Sequence, residues 1–305
     1  MSTAIIFPGQ GAQSVGMGKD LLQTSAQARD RFSQASEVLG FDLVKVCNEG
    51  PIDLLSRTEF SQPALFTHSY AVFELLRSQR SDLWDSVVAV AGLSLGEYTA
   101  VAAAGGFSFE DGLGVVQTRG RAMQAASDKV QSGMVSVLGL GLEQVQAICE
   151  KASMGPDSFV TPANLLCPGN IAISGHLDAL ARAESLAVDM QAMRVVRLQV
   201  AGAFHTSLMQ SAISPLVEVL ESVDFQPLRV PVYSNVDASP HREPQEIRTL
   251  LPRQVLSQVL WEDTIRKLIE NGVERFIEVG VGRVLNGTIK RINRKIPVEN
   301  FGESL

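Results

Sequence analysis

The residues best placed to do chemistry begin with Gly92-Leu93-Ser94-Leu95-Gly96, a GxSxG string between the apolar run Ser86 to Ala91 and an alanine-rich stretch through Ala104. A strand that leaves through a sharp turn into a helix holds a serine on a strained backbone. Its Oγ is exposed at the helix N-terminus, and the flanking glycines relieve crowding. Ser94 is therefore the expected nucleophile, against the plainer reading of a serine that caps an ordinary turn. A hydroxyl is a weak nucleophile at neutral pH and needs a base. Of the four histidines, His68 lies in an apolar helical pattern, His176 follows a glycine turn and His241 sits in the polar segment SPHREP. His205, in GAFHTS, stands in a loop between a strand-like and a helix-like segment, where site residues gather. By position alone it is either the base or an ordinary loop histidine. Arg119 shares a helix face with Leu113, Val116 and Met123, so it points inward, whereas Arg121 points elsewhere. An inward guanidinium either grips a substrate carboxylate bidentately or pairs with a structural acid.

Those residues need a scaffold, and the pattern supplies one. Ala4 to Phe7 reads as a buried strand that ends in Pro8-Gly9-Gln10-Gly11, and Ser86 to Ala91 as a second strand. A helix is expected from Ser61 to Leu76 with Pro63 in its first turn, and another from Phe109 to about Ala126. Between about Ser132 and Val200 the pattern changes to MVSVLGL, LEQVQAICEKA, NIAISG, LDALARAESLAVDM and RVVRLQV. This β-α-β-α-β run suggests a ferredoxin-like subdomain. A helix from Ser211 to Ser222, an extended VPVYSNV, a helical stretch around Ile247 to Asn271 and the strand RFIEVG complete the chain. The expected organisation is a large α/β domain over residues 1–128 and 200–305, interrupted by a small one over 129–199.

Composition narrows the function classes. The 305 residues are 45% hydrophobic, enough for a large core, and carry 26 Lys+Arg against 33 Asp+Glu, a net charge of −7. Nucleic-acid binding, which needs clustered cations, is not expected. FPGQGAQSVGMGK meets neither GxGxxG nor GxxxxGK, so a nucleotide fingerprint is missing. Three cysteines, Cys47, Cys149 and Cys167, have neither disulfide nor zinc spacing and read as core thiols. No membrane span and no secretory signal are expected, which makes the cytoplasm the expected location.

The set FPGQGAQ at 7–13, QPA at 62–64, GLSLGEYTA at 92–100, Arg119-Gly120, GAFH at 202–205 and SNVDA at 234–238 resembles the malonyl-CoA:acyl carrier protein transacylase family over nearly the whole chain. The resemblance implies an α/β-hydrolase-like domain with a ferredoxin-like insertion. It also implies transfer of a malonyl group from malonyl-CoA to acyl carrier protein through Ser94, with His205 as base and then acid, and with no cofactor or metal. The main-chain carbonyl of Gln254 would orient His205, and the N–H groups of Gln10 and Leu95 would form the oxyanion hole. Arg119 would hold the malonyl carboxylate, Phe204 would limit space near its α-carbon, and Gln62 would line the cleft. Three departures stand out: Leu93 where many members have histidine, Gly280-Val281-Gly282 where many have GPG, and Asn170 in place of a common glutamine.

An acidic carrier needs a basic patch on this acidic chain. Lys290, Arg291, Arg294 and Lys295 in TIKRINRK are the docking candidates at helical spacing, the alternative being a solvated helix end. The rival functions are a serine hydrolase and a catalytically silent carrier-binding scaffold. A hydrolase would need an acid between Ser94 and His205 in the chain, for which Asp178 and Asp189 are the nominal choices. Both fall inside the expected insertion, and the presence of both Ser94 and His205 argues against the scaffold.

Overall fold

A computed structural model describes residues 1–302. Its strands are β1 (Thr3–Phe7), β2 (Val87–Gly92), β3 (Ser132–Leu138), β4 (Val160–Cys167), β5 (Asn170–His176), β6 (Arg194–Arg197), β7 (Val232–Tyr233), β8 (Pro240–His241), β9 (Arg275–Val279) and β10 (Val298–Phe301). The main sheet has the order β10-β9-β1-β2-β7-β8, parallel except for β8. Parallel strands are covered on both faces, which is why β1 is buried at every position and apolar from Ala4 to Phe7 rather than alternating. Ile5, Phe7 and Val90 face one core, shared with the helices Ala26–Leu39, Thr58–Gln79 and Phe109–Ser127. Ala4, Ile6, Ala89 and Ala91 face the other, closed by the helices Trp261–Glu270 and Val284–Ile292.

The second sheet is antiparallel, in the order β4-β5-β3-β6. Val135, Val137, Ile171 and Ile173 pack under the helices Leu142–Ala152 and Leu177–Asp189. The opposite face turns Met134 and Ser174 toward the main sheet, where Ser174 donates to the Phe204 carbonyl at 2.7 Å. This segment runs β-α-β-β-α-β, the ferredoxin-like order. The sequence reading lacked β4 because Pro162 and two register shifts, at Pro162/Asn164 and Leu165/Cys167, hide its alternation.

Other expectations need correction. Pro63 lies within the helix Thr58–Gln79, not in its first turn, and the helix carries on because its apolar side is buried through Ala64, Leu65, Val72 and Phe73. The stretch expected from Ile247 to Asn271 is two helices, Pro244–Gln254 and Trp261–Glu270. Between them Val259 adds to β4, exchanging hydrogen bonds with Ala163 and Leu165. The first part of the helix expected from Ser211 is a tight turn, Ser207–Ala212, and the α-helix proper is Ile213–Ser222. Among the described residues no helix is long and apolar enough to cross a membrane.

The C-terminal ends of β1 and β2 meet in register at Phe7 and Gly92, so the loops leaving both strands emerge side by side. Open α/β sheets place their sites at such strand ends. The fit is tight: a Cβ on Gly92 would come within 1.9 Å of the Gly96 carbonyl carbon, and one on Gly9 within 2.3 Å of the Leu93 oxygen. By contrast, a Cβ on Gly114, inside the helix Phe109–Ser127, meets nothing within 4 Å. Gly92→Ala should cost about 3 kcal/mol through overpacking, whereas Gly114→Ala should gain about 0.5 kcal/mol from unfolded-state entropy. Urea unfolding midpoints of the two variants check this pair of opposite signs.

Candidate active site

Ser94 occupies the turn between β2 and the helix Leu95–Ala103 with φ 49° and ψ −102°, a conformation that a side chain rarely adopts. Strain of this kind costs about 1–3 kcal/mol and persists only where surrounding contacts enforce it. Here the enforcing group is Asn235. Its Oδ1 accepts the Ser94 N–H at 2.7 Å and its Nδ2 donates to the Gly92 carbonyl at 2.8 Å, which brackets the turn. Leu93 is buried, belongs to the same core as Ile6 and Tyr233, and also lines the cleft next to Ser94.

His205 is also held at positive φ, 62°, and is 3% exposed. Its Nδ1 lies 2.9 Å from the main-chain oxygen of Gln254 and its Nε2 lies 2.9 Å from Ser94 Oγ. A carbonyl can only accept, so Nδ1 carries the proton and Nε2 offers its lone pair to the serine hydroxyl. Gln254 ends its helix, where carbonyls lack partners within the helix, and this leaves its oxygen available to the imidazole. Burial, then the Arg119 charge, pushes the His205 pKa down to about 4, against the opposing pull of the Gln254 hydrogen bond. The imidazole is thus neutral at pH 7 and able to receive a proton.

Arg119 is 1% exposed, and burial lowers its pKa from the usual value. Its Nη2 donates to Ser94 Oγ at 3.2 Å and to Gln254 Oε1 at 3.0 Å, and its guanidinium lies 4.9 Å from the centre of the Tyr98 ring. Nε has no hydrogen-bond partner. A buried cation that reaches the nucleophile with donors to spare is suited to an anionic group on the substrate.

Gln10 and Leu95 bring their main chains to the same place. Gln10 lines the cleft and Leu95 opens the helix after Ser94, and neither N–H has an acceptor among the described residues. Phe204 and Met123 form part of the cleft wall, with Met134, Leu198 and Val200 on the side of the second sheet. The space enclosed is small, about 60 Å³. A larger groove of about 400 Å³ between the helices Ile213–Ser222 and Pro244–Gln254 is lined by no serine, cysteine or histidine, so size alone does not locate the chemistry. Gln62 stands one layer behind the wall, buried, with its Nε2 3.5 Å from the Met123 sulfur.

The remaining predicted positions lie elsewhere. Asp178 is at the surface with Arg182 and Ser158, and Asp189 is exposed, so no acid occupies the far side of the His205 ring. His176 contacts Phe159, and His241 lies between Asp237 and Glu246. The basic cluster does not keep helical spacing, because its helix ends at Ile292 and leaves Arg294 and Lys295 beyond it. Lys290 donates to the Ile296 carbonyl at 2.6 Å and Arg291 to the Pro168 carbonyl at 2.9 Å, so these two cations fasten chain segments together.

Sequence reasoning gave no part to Glu97, Tyr98, Asn164 or Asn235. Glu97 is wholly buried on the helix Leu95–Ala103, where burial pushes it up to about 7 against hydrogen bonds from Gln254, Asn235 and Ser234 and the Arg119 charge. The available signal was an acid in a helix with no other charge. Asn164 lines the cleft with its Oδ1 unpartnered.

The low His205 pKa sets a pH profile. A base with the ordinary histidine value loses half its activity near pH ~6.5. Here the neutral form persists two to three units further down, so activity is lost only as pH falls toward about 4. Rates of Ser94 modification by a fluorophosphonate probe, measured between about pH 4 and 8, should be level above about pH 5.5. A midpoint near 6.5 would contradict the geometry.

A family model described as acyl transferase domain matches residues 4–299. The chain is 40% identical over 293 residues to malonyl CoA-acyl carrier protein transacylase of Bacillus subtilis, covering 96% of this chain and 91% of that protein. It is 39% identical over 312 residues to the probable mitochondrial malonyl-CoA-acyl carrier protein transacylase of Drosophila melanogaster, covering 98% and 82%. Among solved structures, acyl-carrier-protein-S-malonyltransferase from Bartonella henselae superposes with a TM-score of 0.94 at 37% identity, covering 100% of this chain and 96% of that one. A malonyl-transacylase in complex with a type II PKS acyl-carrier protein does so with a TM-score of 0.94 at 33% identity, covering 100% and 97%. A match over nearly every residue, in sequence and in backbone, makes this chain a member of the acyl transferase domain family and, within it, of the malonyl-CoA:acyl carrier protein transacylases.

Proposed function

We propose that this chain is a malonyl-CoA:acyl carrier protein S-malonyltransferase. The observation that carries the reading is a buried guanidinium whose Nη2 lies 3.2 Å from the nucleophilic oxygen and which, among the described residues, hydrogen-bonds no carboxylate. Two arms of one cation can grip the free carboxylate of a malonyl group while the thioester carbon lies against Ser94. An acetyl group has nothing to offer them. Hydrogen bonds to charged groups are worth about 1.5–3 kcal/mol each.

The reaction follows from the site. His205 Nε2 takes the Ser94 proton as Oγ attacks the thioester carbonyl, and the N–H groups of Gln10 and Leu95 receive the developing oxyanion. On collapse the CoA sulfur leaves, taking the proton from His205. In the second half, the phosphopantetheine thiol of the carrier gives its proton to His205 and attacks the Ser94 ester, and the serine is regenerated. One thioester replaces another, so the exchange needs no redox step. Phe204 would restrict bulk beside the α-carbon, and the small domain of residues 129–199 would close the cleft through Met134 and Leu198. Transfer serves fatty acid or polyketide synthesis, in keeping with the relative solved on a type II PKS carrier. We assign the chain to the cytoplasm, although the fly relative is named mitochondrial.

Incubation with radiolabelled malonyl-CoA tests the reading. Stable label on Ser94 that is discharged by carrier thiol is expected, with ping-pong kinetics. Rapid release to water would mean a hydrolase, and no label would mean a scaffold. Ser94→Ala should abolish labelling. Arg119→Ala should lower the preference for malonyl over acetyl about 100-fold, the equivalent of two charged hydrogen bonds, and an unchanged preference would remove the assigned role.

A further inference from the structure

Behind the reacting atoms lies a buried carboxylate that the mechanism above does not use. Oε2 of Glu97 accepts from Gln254 Nε2 at 2.6 Å and from the Asn235 N–H at 3.1 Å. Each main partner then acts on the site. Asn235 brackets the strained turn through the Ser94 N–H and the Gly92 carbonyl. Gln254 touches everything else: its main-chain oxygen holds His205, its Nε2 also donates to the Ser94 carbonyl at 2.9 Å, and its Oε1 accepts from Arg119.

We infer that Glu97 is a positioning residue that fixes which way the Gln254 side-chain amide faces, and thereby aims Arg119 at the substrate carboxylate. A glutamine amide offers donors at one end and an acceptor at the other, and the two ends are nearly equal in shape. With a Glu97 oxygen that already accepts the Asn235 N–H on one side and a guanidinium that can only donate on the other, only one orientation pairs both. Flipping the amide would set oxygen against carboxylate and N–H against guanidinium, two repulsive contacts in a buried site. The interposed amide has a second consequence. Glu97 reaches Arg119 only through the amide, so the guanidinium keeps free donors. A direct ion pair would hold those donors and compete with the substrate. Tyr98, under the guanidinium and anchored to the Leu251 carbonyl at 3.0 Å, supports it from the remaining side.

This inference rests on the transferase reading, so its test has one arm that needs no substrate. Glu97→Gln keeps the volume but lets the residue present either an oxygen or an N–H to Gln254, which releases the amide orientation. Gln254→Ala removes the amide and keeps the main-chain carbonyl that holds His205. Each variant should lower the malonyl-over-acetyl labelling ratio about tenfold, and the double variant should fall no further than either alone, because both act through one group. Rates with the fluorophosphonate probe, which carries no carboxylate, should change less than about threefold in Glu97→Gln. In the substrate-free arm, the Gln254 side-chain NH₂ resonances, assigned by their loss in Gln254→Ala, should be slow to exchange in the wild type and fast in Glu97→Gln. Multiplying effects in the double variant, an unchanged ratio in Glu97→Gln, or an amide equally protected in both proteins would each overturn the inference. Should the wild type take no malonyl label while the amide contrast holds, the transferase reading would fail and the positioning role would stand.

Discussion

The hydrogen bond from His205 Nδ1 to the main-chain oxygen of Gln254 is the constraint on which the rest of the site depends. It fixes the tautomer, and the tautomer decides whether Nε2 can receive a proton from Ser94. A carboxylate in that place would do the same and would also stabilise the imidazolium. A carbonyl supplies orientation with only a partial charge, too little to offset the burial and the Arg119 charge that push the imidazole down to about 4. The resulting base holds its proton weakly and passes it on readily to a departing thiolate. Thiols are far better leaving groups than amines, so an exchange of thioesters does not require a strongly stabilised imidazolium.

That carbonyl is available because of where a helix stops. The helix Pro244–Gln254 ends at the residue whose oxygen is needed, and the chain then leaves to pair Val259 with β4. The same short segment therefore orients the base and ties the second sheet to the first. On the other side of the reaction, the elbow at Ser94 stores strain of about 1–3 kcal/mol. Two Asn235 hydrogen bonds, about 1 kcal/mol each, are enough to hold it. Gly92 and Gly96 contribute by having no Cβ where neighbouring main chain already fills the space.

Much of this was legible in the sequence, for identifiable reasons. Ser94 announced itself because the steric demands of the elbow require glycine on both sides of a strand-to-helix turn. Arg119 was placed inward by helical periodicity alone. His205 needed the resemblance, since one histidine in one loop carries little information about which distant serine it meets. Gln254 is harder still, because its essential atom belongs to the main chain and any residue type supplies that atom. The strand β4 was hidden by Pro162 and its irregular register. The basic cluster misled because four cations at i and i+4 look like a helix face even when the helix ends first, at Ile292. Glu97 and Asn235 were passed over although both stand inside motifs that were noticed. Their partners are main-chain groups and an amide remote in sequence, which local spacing does not register.

Charge distribution explains why those two hidden residues belong to the site. A buried cation is costly unless its charge is balanced, and a buried carboxylate is costly for the same reason. Pairing Arg119 and Glu97 directly would meet both costs and leave the guanidinium with fewer donors for a substrate. Separating them by the Gln254 amide gives each group an oriented dipole as its partner. The Arg119 Nε left without a partner fits this arrangement, since a cation with unspent donors binds an incoming carboxylate by completing its shell. Selectivity for an anionic acyl group is on this account a property of three side chains in series, of which only the first need touch the substrate.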